Sequence, residues 1–84
     1  MKNRSRTDIV SHILDAANGG ASKTRIMYAA YLSYSQLKGY LSTLVQNGLL
    51  EYVDGEHKYR TTEKGILFMR ASSTMNEITG SMTS

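Results

Sequence analysis

The segment that most narrows the folds open to this chain is the thirty residues SYSQLKGYLSTLVQNGLLEYVDGEHKYRTT, numbers 33–62. Ser33 and Gln36 have the spacing of a capping box, in which each side chain satisfies a free backbone donor at the start of a helix. Leu37, Tyr40, Leu41 and Leu44 then fall on one side of that helix, which runs over about 34–47. Gly48 stops it, because glycine tolerates the left-handed backbone that closes a helix. Beyond the stop come two short runs separated by Asp54-Gly55, a turn dipeptide. They predict a tight antiparallel hairpin with Leu50, Tyr52 and Tyr59 on its inner face. Glu51 and Arg60 face outward, close enough to pair across the strands.

The residues on either side extend this core pattern. Ser22 caps a second helix over 23–30, with Ile26, Met27 and Ala30 turned inward. Tyr31-Leu32 is a short connection, and Leu32 anchors it. Further upstream, Ile9, Ile13, Leu14 and Ala17 repeat at helical spacing over Thr7 to Ala17. Ser5 or Thr7 caps that helix, Asp8 suits the positive end of its dipole, and Asn18-Gly19-Gly20 ends it. Ala21 is placed to act as a vestigial strand against the hairpin. Thr62 caps a fourth helix beginning Glu63-Lys64-Gly65. The expected class is therefore α+β and mostly helical, with three helices, a two-stranded wing hairpin and a C-terminal helix. That is the order of a winged helix–turn–helix. Residues 1–6 form a basic N-terminal arm, 7–62 the winged domain, and 63–84 a C-terminal helix and tail.

Eighty-four residues make one small domain with a thin core, and pairing with a second copy is a common way to gain buried area. Phe68, Ala71, Met75, Ile78 and Met82 are spaced 3, 4, 3, 4, a heptad seam suited to dimerisation. Serines and threonines crowd the same stretch from Ser72 onward, which also fits a loose tail. The chain has no cysteine, and its two histidines, His12 and His57, stand far apart. Neither a thiolate metal site nor a catalytic constellation is expected, so the reading is a protein without enzymatic activity or cofactor. No apolar run approaches membrane-spanning length, and the N-terminus lacks the apolar core of a signal peptide. A soluble cytoplasmic protein with no membrane partner is expected.

The formal net charge, +3, permits a nucleic-acid partner without demanding one. Position says more. Lys2, Arg4 and Arg6 lie in the arm, Lys23, Arg25 and Lys38 in the two central helices, and Asp54 and Glu56 at the hairpin tip. Opposite the apolar side of the third helix stand Ser35, Gly39, Ser42 and Gln46, flanked by Gln36, Lys38 and Thr43. In this order of elements one helix can enter the major groove of DNA while the hairpin flanks it. Glutamine can bond adenine in two places, lysine can bond guanine or phosphate, and serine or threonine bonds either. The same face would equally serve as an ordinary solvated surface. Gly39 in the helix interior reads as close approach to DNA, or as tolerated drift at a cost of about 1 kcal/mol relative to alanine.

Lys23, Thr24 and Arg25 sit at a helix start, where free N–H groups favour phosphate, and Tyr34 and Ser35 are candidates for the same work. Lys58 and Arg60 could touch phosphate from the wing, aided by His57 when protonated. The acidic tip argues that the wing lies beside DNA or off it, holding the third helix through Tyr52 and Tyr59. Tyr28, Tyr31, Tyr40, Tyr52 and Tyr59 fall at or near core-facing positions, so packing is preferred over base stacking as their role.

The run YLSYSQLKGYLSTLVQNGLLEYVDGEHKYRTTEKG resembles the archaeal winged helix–turn–helix family of small transcription regulators. Its markers are SQLKGYLSTLVQNGLL, the tyrosine-containing hairpin and the TTEKG that opens the last helix, and the resemblance covers about residues 7–71. That family includes dimeric chromatin-type proteins that pair through a C-terminal helix. The resemblance implies double-stranded DNA as partner, a homodimer and a nucleoid-associated location. This chain departs in a last helix that is short and poor in charge. The expected function is thus a DNA-binding regulator or chromatin-type protein with modest sequence preference. The rival is a winged-helix module that docks other proteins of the transcription machinery.

Overall fold

The computed structural model describes residues 5–71. Each helix begins where a small hydroxyl side chain can take a free backbone N–H. Ser5 caps α1 (Arg6–Ala17), its Oγ accepting from the Asp8 N–H at 3.1 Å. Ser22 caps α2 (Lys23–Ala30), accepting from the Arg25 N–H at 3.2 Å. Ser33 opens α3 (Tyr34–Gln46) with the full capping box: its Oγ accepts from the Gln36 N–H at 3.2 Å, and Gln36 Oε1 accepts from the Ser33 N–H at 3.0 Å. Thr62 Oγ1 does the same for the Gly65 N–H at the start of α4, which occupies 63–71. Each cap of this kind contributes about 1 kcal/mol. Arg6, read from sequence as part of the arm, is the first residue of α1.

Three helix ends turn through left-handed backbone, that of α1 at Gly19, φ +88°. Gly48, at φ +77°, closes α3 as its residue type foretold. Tyr31, at φ +55°, closes α2 without being glycine, and its N–H returns to the Met27 and Tyr28 carbonyls. Leu32 follows with its N–H on the Met27 carbonyl and its side chain buried, so the turn between α2 and α3 is anchored as expected.

Strands β1 (Leu50–Val53) and β2 (Lys58–Thr61) pair antiparallel, with Leu50 opposite Thr61, Glu51 opposite Arg60, Tyr52 opposite Tyr59 and Val53 opposite Lys58. The connection takes four residues, 54–57, with Gly55 at φ +88° and His57 at φ +55°. It is longer than the tight turn expected from Asp54-Gly55 alone. Ala21 does pair with the hairpin: its N–H donates to the Tyr59 carbonyl at 2.9 Å, and the Tyr59 N–H returns to the Ala21 carbonyl at 2.8 Å.

The core is one cluster. Ile13, Leu14 and Ala17 of α1, Ile26 and Ala30 of α2, Leu37, Leu41 and Leu44 of α3, and Leu50 of β1 are all buried. α1 packs on α2 and β2, while α3 packs on β1. One polar tie crosses this core. Thr61 Oγ1 donates to the Leu14 carbonyl at 2.6 Å, a carbonyl left open because the Asn18 N–H bonds Asp15 instead. α4 is fixed back onto the end of α3, with Thr62 Oγ1 on the Gly48 carbonyl and Lys64 Nζ on the Asn47 carbonyl.

Candidate nucleic-acid interface

Helical geometry divides α3 into three strips. Leu37, Leu41 and Leu44 face the core and Tyr40 is half-buried beside them. Ser35, Gly39, Ser42 and Gln46 look the other way and are exposed. The two flanks differ in chemistry. One carries Tyr34, Lys38 and Val45, the other Gln36 and Thr43. α3 is thus a ridge with small polar side chains along its crest and a groove on either side.

The first groove runs between α3 and the hairpin. Lys23, Tyr34, Lys38, Ser42, Tyr52 and Tyr59 line it, with Leu41 and Val45 as its floor. Lys23 reaches it because the Ala21–Tyr59 pairing pins the start of α2 beside β2. Its Nζ stands 5.4 Å from the centroid of the Tyr34 ring, and Lys38 Nζ stands 5.7 Å from the same centroid. Both lie within the range of attraction between a cation and a ring face. The Tyr52 and Tyr59 rings meet edge-on, with centroids 5.0 Å apart at 61°. Tyr52 also places its hydroxyl 3.2 Å from His57 Nδ1, which ties the hairpin loop to the strand. Lys23 borders a second cleft there, with Tyr52, His57 and Tyr59.

The second groove lies between α1 and α3. Arg6, Val10, Ser35, Gln36, Gly39 and Thr43 line it, and Tyr40 and Leu44 close its base. A β-carbon placed at Gly39 would meet no heavy atom within 4 Å, so no packing among the described residues requires glycine there.

The residues singled out from sequence therefore separate into groups. Lys23, Tyr34, Lys38 and Ser42 come together in one groove. Ser35, Gln36 and Gly39 border the other. Thr24 and Arg25 are exposed at the start of α2, where the Ser22 hydroxyl already takes the Arg25 N–H. Lys58 and Arg60 do not join them. Strand alternation puts these two on the face shared with Glu51 and Val53, opposite the Tyr52–Tyr59 face. Arg60 is occupied there by Glu51, with Nη2–Oε2 at 2.8 Å and Nε–Oε2 at 2.9 Å.

The assignment of the tyrosines to the core needs correction. Tyr40 and Tyr59 are half-buried, but Tyr28 is 70% exposed, Tyr31 83% and Tyr52 44%. Tyr52 does share a face with Leu50, yet only Leu50 is covered, because an open groove separates Tyr52 from α3. Residue alternation identifies a face but not whether anything lies on it. Phe68, expected in the dimerisation seam, packs partly against this chain's own core, and Ala71 is exposed. Met75, Ile78 and Met82 lie outside the described residues.

A family model for the winged helix–turn–helix matches residues 3–80. The chain belongs to this family. The match takes in every element described here, so the hairpin of this winged helix–turn–helix protein is its wing and α3 occupies the place of the second helix of the motif. Its fold is similar to that of Sso10a-2, a DNA-binding protein from Sulfolobus solfataricus, with a TM-score of 0.85 at 27% identity. The match covers 95% of this chain and 86% of that one. No curated protein sequence matches the chain. Among the described residues no helix is long and apolar enough to cross a membrane.

Proposed function

We propose that this protein binds double-stranded DNA, with α3 in the major groove. The observation that carries the reading is the division of labour on α3. Its leucines are consumed by the core, its crest of Ser35, Gly39, Ser42 and Gln46 is exposed, and one flank carries Lys38, joined over Tyr34 by Lys23 of α2. A helix of this length spans about 20 Å and fits a groove about 12 Å wide. Small side chains on the crest let the helix backbone sit close to base edges. With no arginine among them, discrimination between sequences is modest and affinity is mostly electrostatic. Similarity to a DNA-binding protein of the same fold supports the same partner.

Lys23 and Lys38 serve as backbone contacts, with Thr24 and Arg25 at the start of α2 and with Ser35 and Gln36 on the other side of α3. The wing holds α3 in place and carries its own charge pair on the far side, so Lys58 and Arg60 contribute little. The regulator or chromatin role and the nucleoid location follow from the same partner. Two copies pair through the C-terminal helix, where Phe68 and Ala71 open the heptad spacing of the sequence and Leu67, beside them, is 58% exposed.

Fluorescence anisotropy of a labelled duplex, titrated with the chain at several salt concentrations, tests the reading. Binding that tightens at low salt is expected, with a slope of about 0.9 per phosphate neutralised. Absence of binding at low salt would favour the protein-docking module instead.

A further inference from the structure

Lys23 belongs to α2 and Lys38 to α3, yet both ammonium groups stand over one ring, that of Tyr34. They are therefore no farther from each other than the sum of their two distances to it. Among the described residues no carboxylate lines the groove they share, and Tyr34 itself is 54% exposed at its edge. From this juxtaposition we infer that Tyr34 is a positioning residue. It gathers the two lysines into one cationic seat, and the groove between α3 and the wing takes the phosphates of one DNA strand. The inference rests on the DNA reading above and specifies which flank of α3 meets the backbone.

The physical case has three parts. A free lysine side chain samples many rotamers, and holding it on a phosphate costs that freedom. A lysine already drawn to a ring has given up part of it before DNA arrives. Two neighbouring ammonium groups repel each other, and the attraction of each to the electron-rich ring offsets that repulsion. At an exposed ring the attraction is weak, so either lysine can transfer to a phosphate when one is offered. Among the described residues the opposite groove has no such arrangement: the basic residue lining it is Arg6, at the start of α1.

The full chain, with Tyr34→Phe and Tyr34→Leu, each made in the native background and alongside Lys23→Met and Lys38→Met, provides the test. Affinity for a mixed-sequence duplex is read by anisotropy, and folding is checked by thermal melting. Tyr34→Phe keeps the ring and is expected to bind within about twofold of the native chain, whereas Tyr34→Leu weakens binding by about threefold to tenfold. In the double-lysine variant, Tyr34→Leu has no further effect. Three results would overturn the inference: Tyr34→Leu binding like the native chain, Tyr34→Phe losing as much as Tyr34→Leu, or the Tyr34→Leu loss persisting without the lysines. NMR of the DNA-free chain adds an independent readout. Ring-current shifts on the Lys23 and Lys38 side chains are expected with Tyr34 or Tyr34→Phe and vanish with Tyr34→Leu; their absence from the native chain would contradict the gathering. Failure of the native chain to bind duplex would instead remove the DNA reading itself.

Discussion

Two glycines show how differently the same residue can be used. Gly65 sits where α4 crosses the chain after α3, and a β-carbon there would run into the Leu49 carbonyl and the Thr61 methyl. Gly39 has open space around it. Alanine favours a helix by about 1 kcal/mol over glycine, so Gly39→Ala is expected to raise thermal stability by about that amount. If Gly39 lies against DNA, the same variant binds duplex less well, and a variant that gains both stability and affinity would show that it does not. Gly65→Ala is expected to lower stability by roughly 1–3 kcal/mol despite its better helix propensity, because the neighbours that must move include backbone. TTEKG stood out in the sequence as a family marker, but the need for glycine in it comes from a crossing that no local pattern reveals. Thr61 is similar. Its hydroxyl answers a carbonyl forty-seven positions away, at the end of α1. Thr61→Val keeps the shape and leaves that carbonyl unpaired, at a cost of about 1–3 kcal/mol. For a domain of this size each kcal/mol lowers the melting midpoint by about 4–8 °C, which calorimetry resolves.

At the scale of elements, what was legible in the sequence was whatever short-range chemistry decides. The caps at Ser22 and Ser33, the stop at Gly48 and the Glu51–Arg60 pairing all depend on residues a few positions apart or directly across a turn. The inward leucines of α3 followed from periodicity alone. The exposure of Tyr52, the left-handed His57 and the four-residue loop were not legible, because each depends on the open groove between α3 and the hairpin or on a side-chain contact within the hairpin. The meeting of Lys23 with Tyr34 was hidden for the same reason, since it is produced by the Ala21–Tyr59 pairing. These differences have measurable consequences. Arg60→Ala removes an ion pair that is about half exposed on both sides, so stability is expected to change by less than about 1 kcal/mol. It should leave affinity for DNA nearly unchanged, and a clear loss in anisotropy would put the outer face of the wing on the DNA. Ser33→Ala breaks the capping box of α3 and is expected to lower stability by about 1 kcal/mol in thermal melts.

For the whole molecule, the arrangement gives one chain two separable surfaces. The α3 ridge and its lysine-lined groove lie on one side, formed by α2, α3 and β2. α4 begins at the opposite end of the hairpin and carries Phe68 and Ala71, the first two positions of the seam assigned to pairing, with exposed Leu67 beside them. Sedimentation of the chain cut after Ala71 tests that division: a monomer that still binds duplex, more weakly, is expected, whereas an unchanged dimer would place the interface elsewhere. The most direct test of DNA recognition is an NMR titration of the isotope-labelled chain with a short duplex at low salt. Shift changes are expected to concentrate on residues 34–46 and on the start of α2, with Lys23 and Lys38 among the largest and with Glu51, Val53, Lys58 and Arg60 nearly silent. Changes confined to the outer face of the wing or to α4, or none at all, would contradict an α3-centred DNA interface.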